Sequence, residues 1–393
     1  MLKLIDCGGE LHMIGGDGAV YLADVCRAGE ELVKNYGGQA RVVYLDPPFC
    51  TGGSFEFRRG KKQVAYTDSM PKEDYFELIN SAAELAHKLL RDDGTLFIHV
   101  DSRAALECRG IFDRVFGEEA FTNEIIWAYK SGGRSKNAFS RKHDNILMYR
   151  KTPEAYFDIE AVGVKRGPER RNHMKRSVDE EGRVFYSIRT GGKEYRYYED
   201  DMVYPSDVWD DIEHLHQRDP ERTGFITQKP EALLKRIILA CSEEGDLIID
   251  LFGGSGTTAC AAAKLGRRYV TVDKGGVATA VTRRRLVERC LKMRLYDSVS
   301  PMTVEREDPA SFPVDLENYF TIREKDGQTT LTLKKLSTEE TPYYVAVGNM
   351  KEGVFTAYDY FLRFKAGEKL TLSPGDCLHI VNEDMEDAFF INE

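Results

Sequence analysis

The stretch from Ile248 to Asp273 constrains the fold more than any other part of the chain. A run apolar but for Asp250, Leu247 to Leu251, gives way at once to Gly253-Gly254-Ser255-Gly256-Thr257-Thr258. An alanine-rich run from Ala259 to Leu265 follows, Gly266 stops it, and a second apolar run, Arg268 to Val272, closes on Asp273. This is the pattern strand, glycine loop, helix, strand, acid. Glycines let a backbone approach a ligand closely, a helix N-terminus offers unpaired N–H groups, and an acid at the end of the second strand can accept from ribose hydroxyls. An adenosine-containing cofactor is therefore expected. The loop has neither the dinucleotide spacing G-x-G-x-x-G nor a P-loop ending in Gly-Lys-Ser/Thr. A nucleoside cofactor without a pyrophosphate fits better, S-adenosyl-L-methionine being the commonest.

The flanking sequence extends this unit into an α/β sheet. Arg41 to Leu45 is a short apolar strand that must end at Asp46-Pro47-Pro48, because proline has no N–H for a central ladder. Glu73 to Leu90 repeats apolar residues at helical spacing, Asp93-Gly94 turns the chain into a strand from Thr95 to Val100, Ala104 to Phe116 reads as a helix, and Glu124 to Tyr129 as a strand. Lys229-Pro230 opens a helix to about Cys241, with Pro230 near the first turn, where its missing donor costs little. Strands alternating with helices of this length imply parallel crossovers and a sheet covered on both faces. The expected organisation is a catalytic half over residues 1–150, an insert over 151–225, a cofactor half over 226–300 and a small β-rich domain over 301–393.

Asp46-Pro47-Pro48-Phe49 is a stiff extended turn that holds a carboxylate, carbonyls and an aromatic ring at the carboxyl edge of a parallel sheet, where open α/β folds bind ligands. With Thr51-Gly52 and Asp250-Leu251-Phe252-Gly253-Gly254-Ser255-Gly256, it resembles the DNA amino-methyltransferases, the adenine-N6 and cytosine-N4 enzymes. The order, catalytic motif first and cofactor motif last, is that of the β class, which includes the modification subunits of type III restriction systems. Gly94 to Asp101, His143 to Leu147 and Thr227 to Leu234 agree, so that the resemblance covers about Leu22 to Asp273, fading in Val162 to Val203; Cys50 stands where many relatives have Asn.

The resemblance implies a Rossmann-like fold dependent on S-adenosyl-L-methionine and methyl transfer to adenine N6 in double-stranded DNA, with cytosine N4 as the alternative. Asp46 and the Pro47 carbonyl would accept the N–H bonds of the target amine, within a catalytic segment that includes Pro48, and Phe49 would stack on a base flipped from the duplex. Asp250, Phe252 and the loop Gly253, Gly254, Ser255, Gly256, Thr257 and Thr258 would surround the methionine and sugar of the cofactor. Asp273 would hold the ribose, and Gln228, Lys229 and Pro230 the methionine carboxylate end. Readings of another class are an idle DNA-binding partner of the same fold, which the intact Asp46 and glycine loop oppose, and a nicotinamide oxidoreductase, which lacks its pyrophosphate loop. A thiolate mechanism through Cys50 finds no Pro-Cys pair, and His99 and His143 read as core or interface residues.

Charge is unevenly spread. The net charge is −10, yet residues 130–196 hold 17 Lys or Arg against nine Asp or Glu, whereas residues 303–393 hold nine against 18. A cationic middle suits a polyanion grip confined to one segment. Lys165, Arg166, Arg170, Arg171, Lys175 and Arg176 are the expected phosphate contacts of a target-recognition region from Lys151 to Phe225. The acidic tail alternates and carries aromatics, with turns at Asp326-Gly327 and Pro374-Gly375, which predicts an independent β domain lying away from DNA. It would serve as a cap or as a docking surface for a second copy or a restriction subunit. The eight cysteines show no paired spacing, and no His/Cys/Asp/Glu cluster has ligand spacing, so that reduced thiols and no metal are expected. No apolar run of about 18 residues occurs, so a soluble, cytoplasmic protein with no membrane partner is expected.

Overall fold

The computed structural model describes residues 2–4, 12–15, 18–49, 54–59, 61–67, 70–130, 132, 135–168, 174–216, 218–293, 303–305, 315–337, 340–351, 354–361, 365–382 and 387–392. Within it, an α/β unit is built from β1 (Gly18–Leu22), α1 (Val25–Tyr36), β2 (Ala40–Leu45), α2 (Lys72–Leu89), β3 (Leu90–Val100), α3 (Ala105–Phe116), β4 (Phe121–Ala128) and β5 (His143–Arg150). It is completed by α4 (Glu231–Cys241), β6 (Leu247–Asp250), α5 (Thr257–Lys264), β7 (Arg268–Asp273) and α6 (Gly276–Met293). In space the strands run β1-β7-β6-β2-β3-β5-β4. The first five are parallel.

Period-two alternation explains the two covered faces. In β2, Val42 and Tyr44 point into a core shared with Leu233 and Ile237 of α4 and Ala261 of α5. Val43 and Leu45 point the other way, against Ile79 and Ala83 of α2 and Leu32 of α1. All five of these strand and helix positions on each face are buried because parallel strands carry helices on both sides.

The expectation of parallel crossovers holds as far as β4, which runs parallel to β3 with β5 between them. Strand β5 runs antiparallel to both β3 and β4. Between Ala128 and His143 the described residues contain no helix, so the chain returns beside the strand it has just left. Strands β1 and β5 and helix α1 were not anticipated from the sequence.

Residues 151–225 depart from the main sheet into small antiparallel units. Lys175–Val178, Val184–Thr190 and Lys193–Tyr198 form one three-stranded sheet, and Val164–Lys165 pairs with Met202–Val203. Val208–Trp209 then rejoins the main sheet beside β4.

The acidic tail does not stand apart. Thr303–Glu305 pairs with His12–Gly15, which pairs with β1, so that the strands Val354–Phe361, Tyr344–Lys351, Asp376–Val381 and Asp387–Asn392 continue the main sheet to its far edge. Tyr344, Phe355 and Phe389 share one core with Val281 and Leu286 of α6, and Arg284 Nη1 donates to the Tyr343 carbonyl at 2.9 Å. The tail thus continues the main sheet, while Leu316, Phe320, Leu331, Val345, Leu378 and Phe390 form a core of its own. Its alternating aromatics pack inward, except for Tyr358 and Tyr360, whose side chains lie outside the description.

Candidate active site

Strands β6 and β2 are neighbours, and the chain leaves them in opposite directions: β6 leads through α5 to β7, and β2 through α2 to β3. A crevice opens at such a switch point, outside the carboxyl ends of the strands. Asp250 ends β6 and Asp46 follows β2 there. The crevice is a cavity of about 560 Å³, in the range that encloses a cofactor-sized ligand.

Of the residues singled out from the sequence, Asp46, Pro47, Pro48, Phe49, Lys229, Asp250, Phe252, Gly253, Gly254, Ser255, Thr257, Thr258 and Asp273 line this cavity. Gln228, Pro230 and Gly256 do not. The Gln228 amide is spent inside its own loop, accepting from Thr223 N and Oγ1 at 2.9 and 2.8 Å and donating to the Glu221 carbonyl at 2.8 Å. Pro230 caps α4 with an extended backbone. Gly256 has a φ of 73°, and a Cβ there would come within 2.4 Å of Thr282 Oγ1, so this glycine serves the packing of α5 on α6.

Hydrogen bonds hold the loop rigidly. The Asp250 carboxylate accepts from Phe252 N at 3.0 Å and from Thr258 Oγ1 at 2.5 Å. Burial pushes its carboxyl up to about 7, and the nearby Asp46 and Asp273 charges push in the same direction. Asp273 accepts from Gly254 N and Gly275 N, both at 2.8 Å, which ties the glycine loop to the end of β7. Its carboxyl is also raised by burial.

The same cavity carries an ion pair that joins the stretch Thr227 to Leu234 to Asp46. Lys229 Nζ lies 2.7 Å from Asp46 Oδ1 and 2.6 Å from Oδ2, and 4.9 Å from the centre of the Phe49 ring. The Lys229 carbonyl in turn accepts from Thr257 Oγ1 at 3.2 Å. The lysine expected on a cofactor carboxylate is thus also the partner of Asp46.

Behind Asp46 and Phe49 lies a buried polar chain of which the sequence indicated only His99, as a core residue. Tyr44 Oη and His99 Nδ1 are 2.8 Å apart, His99 Nε2 and Asp144 Oδ2 are 3.1 Å apart, and Tyr129 Oη donates to Asp144 Oδ1 at 3.1 Å. Burial holds His99 below the usual imidazole range and the Lys229 charge adds to this. A neutral ring that accepts from Tyr44 and donates to Asp144 satisfies both neighbours. The ring lies 6.0 Å from that of Phe49 and 5.6 Å from that of Trp127, so it supports the aromatic wall. Tyr44 also lines the cavity, as do Ala23, Asp24, Phe225 and Lys274. The alternation of β2 was the available signal for Tyr44; Phe225 comes from an irregular loop with none.

The six basic candidates for phosphate contact are spread over the insert. Lys165, Lys175 and Arg176 are exposed on strands, with Arg176 Nε 3.5 Å from Glu199 Oε1. Arg166 lies over the Tyr197 ring at 5.1 Å. Arg170 and Arg171 lie outside the described residues, as do Cys50, Thr51 and Gly52. Tyr195, Met202 and Tyr204 are exposed apolar side chains of the same region, absent from the expected set.

A family model described as DNA methylase, of the N6/N4 methyltransferases, matches residues 40–279. The chain is 29% identical over 296 residues to the type II methyltransferase M.EcaI of Enterobacter cloacae, covering 63% of this chain and 65% of that one, just under two thirds of the relative's length. It is 28% identical over 250 residues to the DNA adenine methyltransferase YhdJ of Escherichia coli, covering 62% and 74%. It is 22% identical over 357 residues to the probable type III restriction-modification enzyme HindVI Mod subunit of Haemophilus influenzae, covering 62% and 46%. With its motif-bearing strands meeting in one crevice and the family match spanning more than half of its length, the chain belongs to the N6/N4 DNA methylase family.

Proposed function

We propose that this protein is a site-specific DNA methyltransferase that transfers a methyl group from S-adenosyl-L-methionine to the N6 amine of adenine in double-stranded DNA. One observation carries the reading: Asp46-Pro47-Pro48-Phe49 and the loop from Asp250 to Thr258 face each other across one cavity. The residues present fit the cofactor. The half-buried Asp273 carboxylate, held by Gly254 N and Gly275 N, offers its remaining lone pairs to sugar hydroxyls, and the glycine loop leaves room beside it for a nucleoside. The bound cofactor supplies an electrophilic sulfonium methyl group.

The protein's own residues then prepare the amine. An exocyclic amine is a weak nucleophile because its lone pair is conjugated with the ring. Asp46 and the Pro47 carbonyl accept its two N–H bonds, which favours a pyramidal nitrogen whose lone pair points at the methyl group. Phe49 stacks on the flipped base, offsetting part of the few kcal/mol lost on unstacking. Tyr44, His99 and Asp144 hold the wall behind Phe49. The insert of residues 151–225 reads the target, with Lys165, Arg166, Arg170, Arg171, Lys175 and Arg176 on phosphates. Similarity to an enzyme named as an adenine methyltransferase supports adenine as the base. Similarity to a Mod subunit supports a restriction subunit as partner.

Sequencing DNA from a host that expresses the gene gives the recognition sequence. Digesting that DNA to nucleosides, with mass spectrometry, is expected to show N6-methyladenine. N4-methylcytosine alone would overturn the adenine assignment and keep the rest; absence of both would overturn the activity.

A further inference from the structure

We propose that Lys229 serves two carboxylates in turn, Asp46 in the empty enzyme and that of the bound cofactor, so that the target base gains Asp46 only after the cofactor has arrived. The inference rests on the reading above and adds an order of binding to it. Both Asp46 oxygens are engaged by the same ammonium, at 2.7 and 2.6 Å, and that ammonium also covers the Phe49 ring. An incoming base therefore finds neither the acceptor nor the stacking surface open. The pair is largely buried, with side chains 12% and 19% exposed, and pulling it apart with nothing in exchange leaves two desolvated charges uncompensated. A replacement anion removes that cost.

The cavity dictates where this anion comes from. Among the described residues that line it, the cations are Lys229 and Lys274. Lys274 follows Asp273 at the end of β7, where the sugar is held, whereas Lys229 sits beside the reacting position. A nucleoside seated at Asp273 with its sulfonium near Asp46 carries its amino-acid arm toward Lys229. The Lys229 backbone is fixed to the glycine loop through Thr257, so only the side-chain tip has to change partner. The exchange turns one ion pair into another, keeps the lysine charge compensated and leaves the Asp46 oxygens free to accept from the amine.

The test needs no knowledge of the recognition sequence. Calorimetric titration compares S-adenosylhomocysteine, which carries the carboxylate, with 5′-methylthioadenosine, which lacks the amino-acid arm. The protein is used as wild type, Asp46→Asn, Lys229→Met and the double variant, with thermal melting of each as a check on folding. Asp46→Asn, by freeing the ammonium, is expected to tighten S-adenosylhomocysteine roughly threefold to tenfold, the scale of a partly buried ion pair, and to leave methylthioadenosine unchanged. In the Lys229→Met background the Asp46→Asn gain is expected to vanish, since it acts through the lysine. A gain that persists there shows direct repulsion between the two carboxylates and overturns the exchange. An Asp46→Asn variant that binds both compounds as the wild type does overturns it as well, while leaving the cofactor reading intact. A wild type that binds neither compound overturns the cofactor reading, and the exchange with it. Lys229→Gln, which keeps a polar tip, gives the same comparison if the methionine variant melts.

Discussion

Replacing Asp250 with Asn should change how stability depends on pH, and the structure gives the sign and the size. The Asp250 carboxyl is buried, and burial pushes it up to about 7. In the unfolded chain the same group titrates near 4, so the displacement of about three units corresponds to ~4 kcal/mol. Between those two pH values the folded protein holds a proton that the unfolded chain has lost. The slope of unfolding free energy with pH is therefore negative for this group, about −1.4 kcal/mol per unit. Its contribution falls as pH rises through that window and is constant above it. Asn keeps the geometry: its oxygen can accept from Phe252 N, and its amide can donate to the Thr258 hydroxyl, which now accepts. Urea unfolding of both proteins at pH 5, 6, 7 and 8 isolates the effect, because every other titrating group is common to the two. The wild type should lose ~1.4 kcal/mol per unit relative to the variant from pH 5 to about 7, and the difference should then level off. A difference independent of pH would show that the carboxyl is already ionised in the fold, and the account of its burial would be wrong.

Asp46→Ala should lower methyl transfer from labelled cofactor by at least about a hundredfold, the loss expected when an acceptor aimed at the reacting group is removed; near-normal transfer would refute the mechanism. Asp273→Ala strips the acceptor from Gly254 N and Gly275 N and should weaken S-adenosylhomocysteine about tenfold or more in calorimetry, with the loss equally present for methylthioadenosine. His99→Leu leaves Asp144 without its ring partner in a buried site and should cost ~3 kcal/mol in urea unfolding, whereas a change below about 1 kcal/mol would show that the chain Tyr44, His99, Asp144 carries little of the wall. Deleting residues 303–393 should expose the core side of α6 and the edge strand His12–Gly15, giving aggregates in light scattering; a monodisperse, active remainder would show that the tail is dispensable.

Much of the crevice was legible in one dimension because its parts are local. A proline pair ends β2 wherever the chain goes next, and a glycine loop between an apolar strand and an alanine-rich helix makes a strand–turn–helix from short-range geometry alone. That places Asp46 and Asp250 at strand ends, and the alternation of strands and helices makes those ends the same edge of one sheet. What the sequence could not supply is adjacency. The register of β6 beside β2 brings together residues about two hundred positions apart, and only that packing sets the Lys229 ammonium on Asp46, because a long-range ion pair leaves no periodic trace. The chain of Tyr44, His99 and Asp144 is of the same kind, three polar groups on three strands whose meeting depends on lateral order. At the tail, acidity and alternation describe a β region, yet they say nothing about which edge it pairs with. The tertiary structure decided that point through backbone hydrogen bonds between Thr303–Glu305 and His12–Gly15, which any sequence with extended backbone can make.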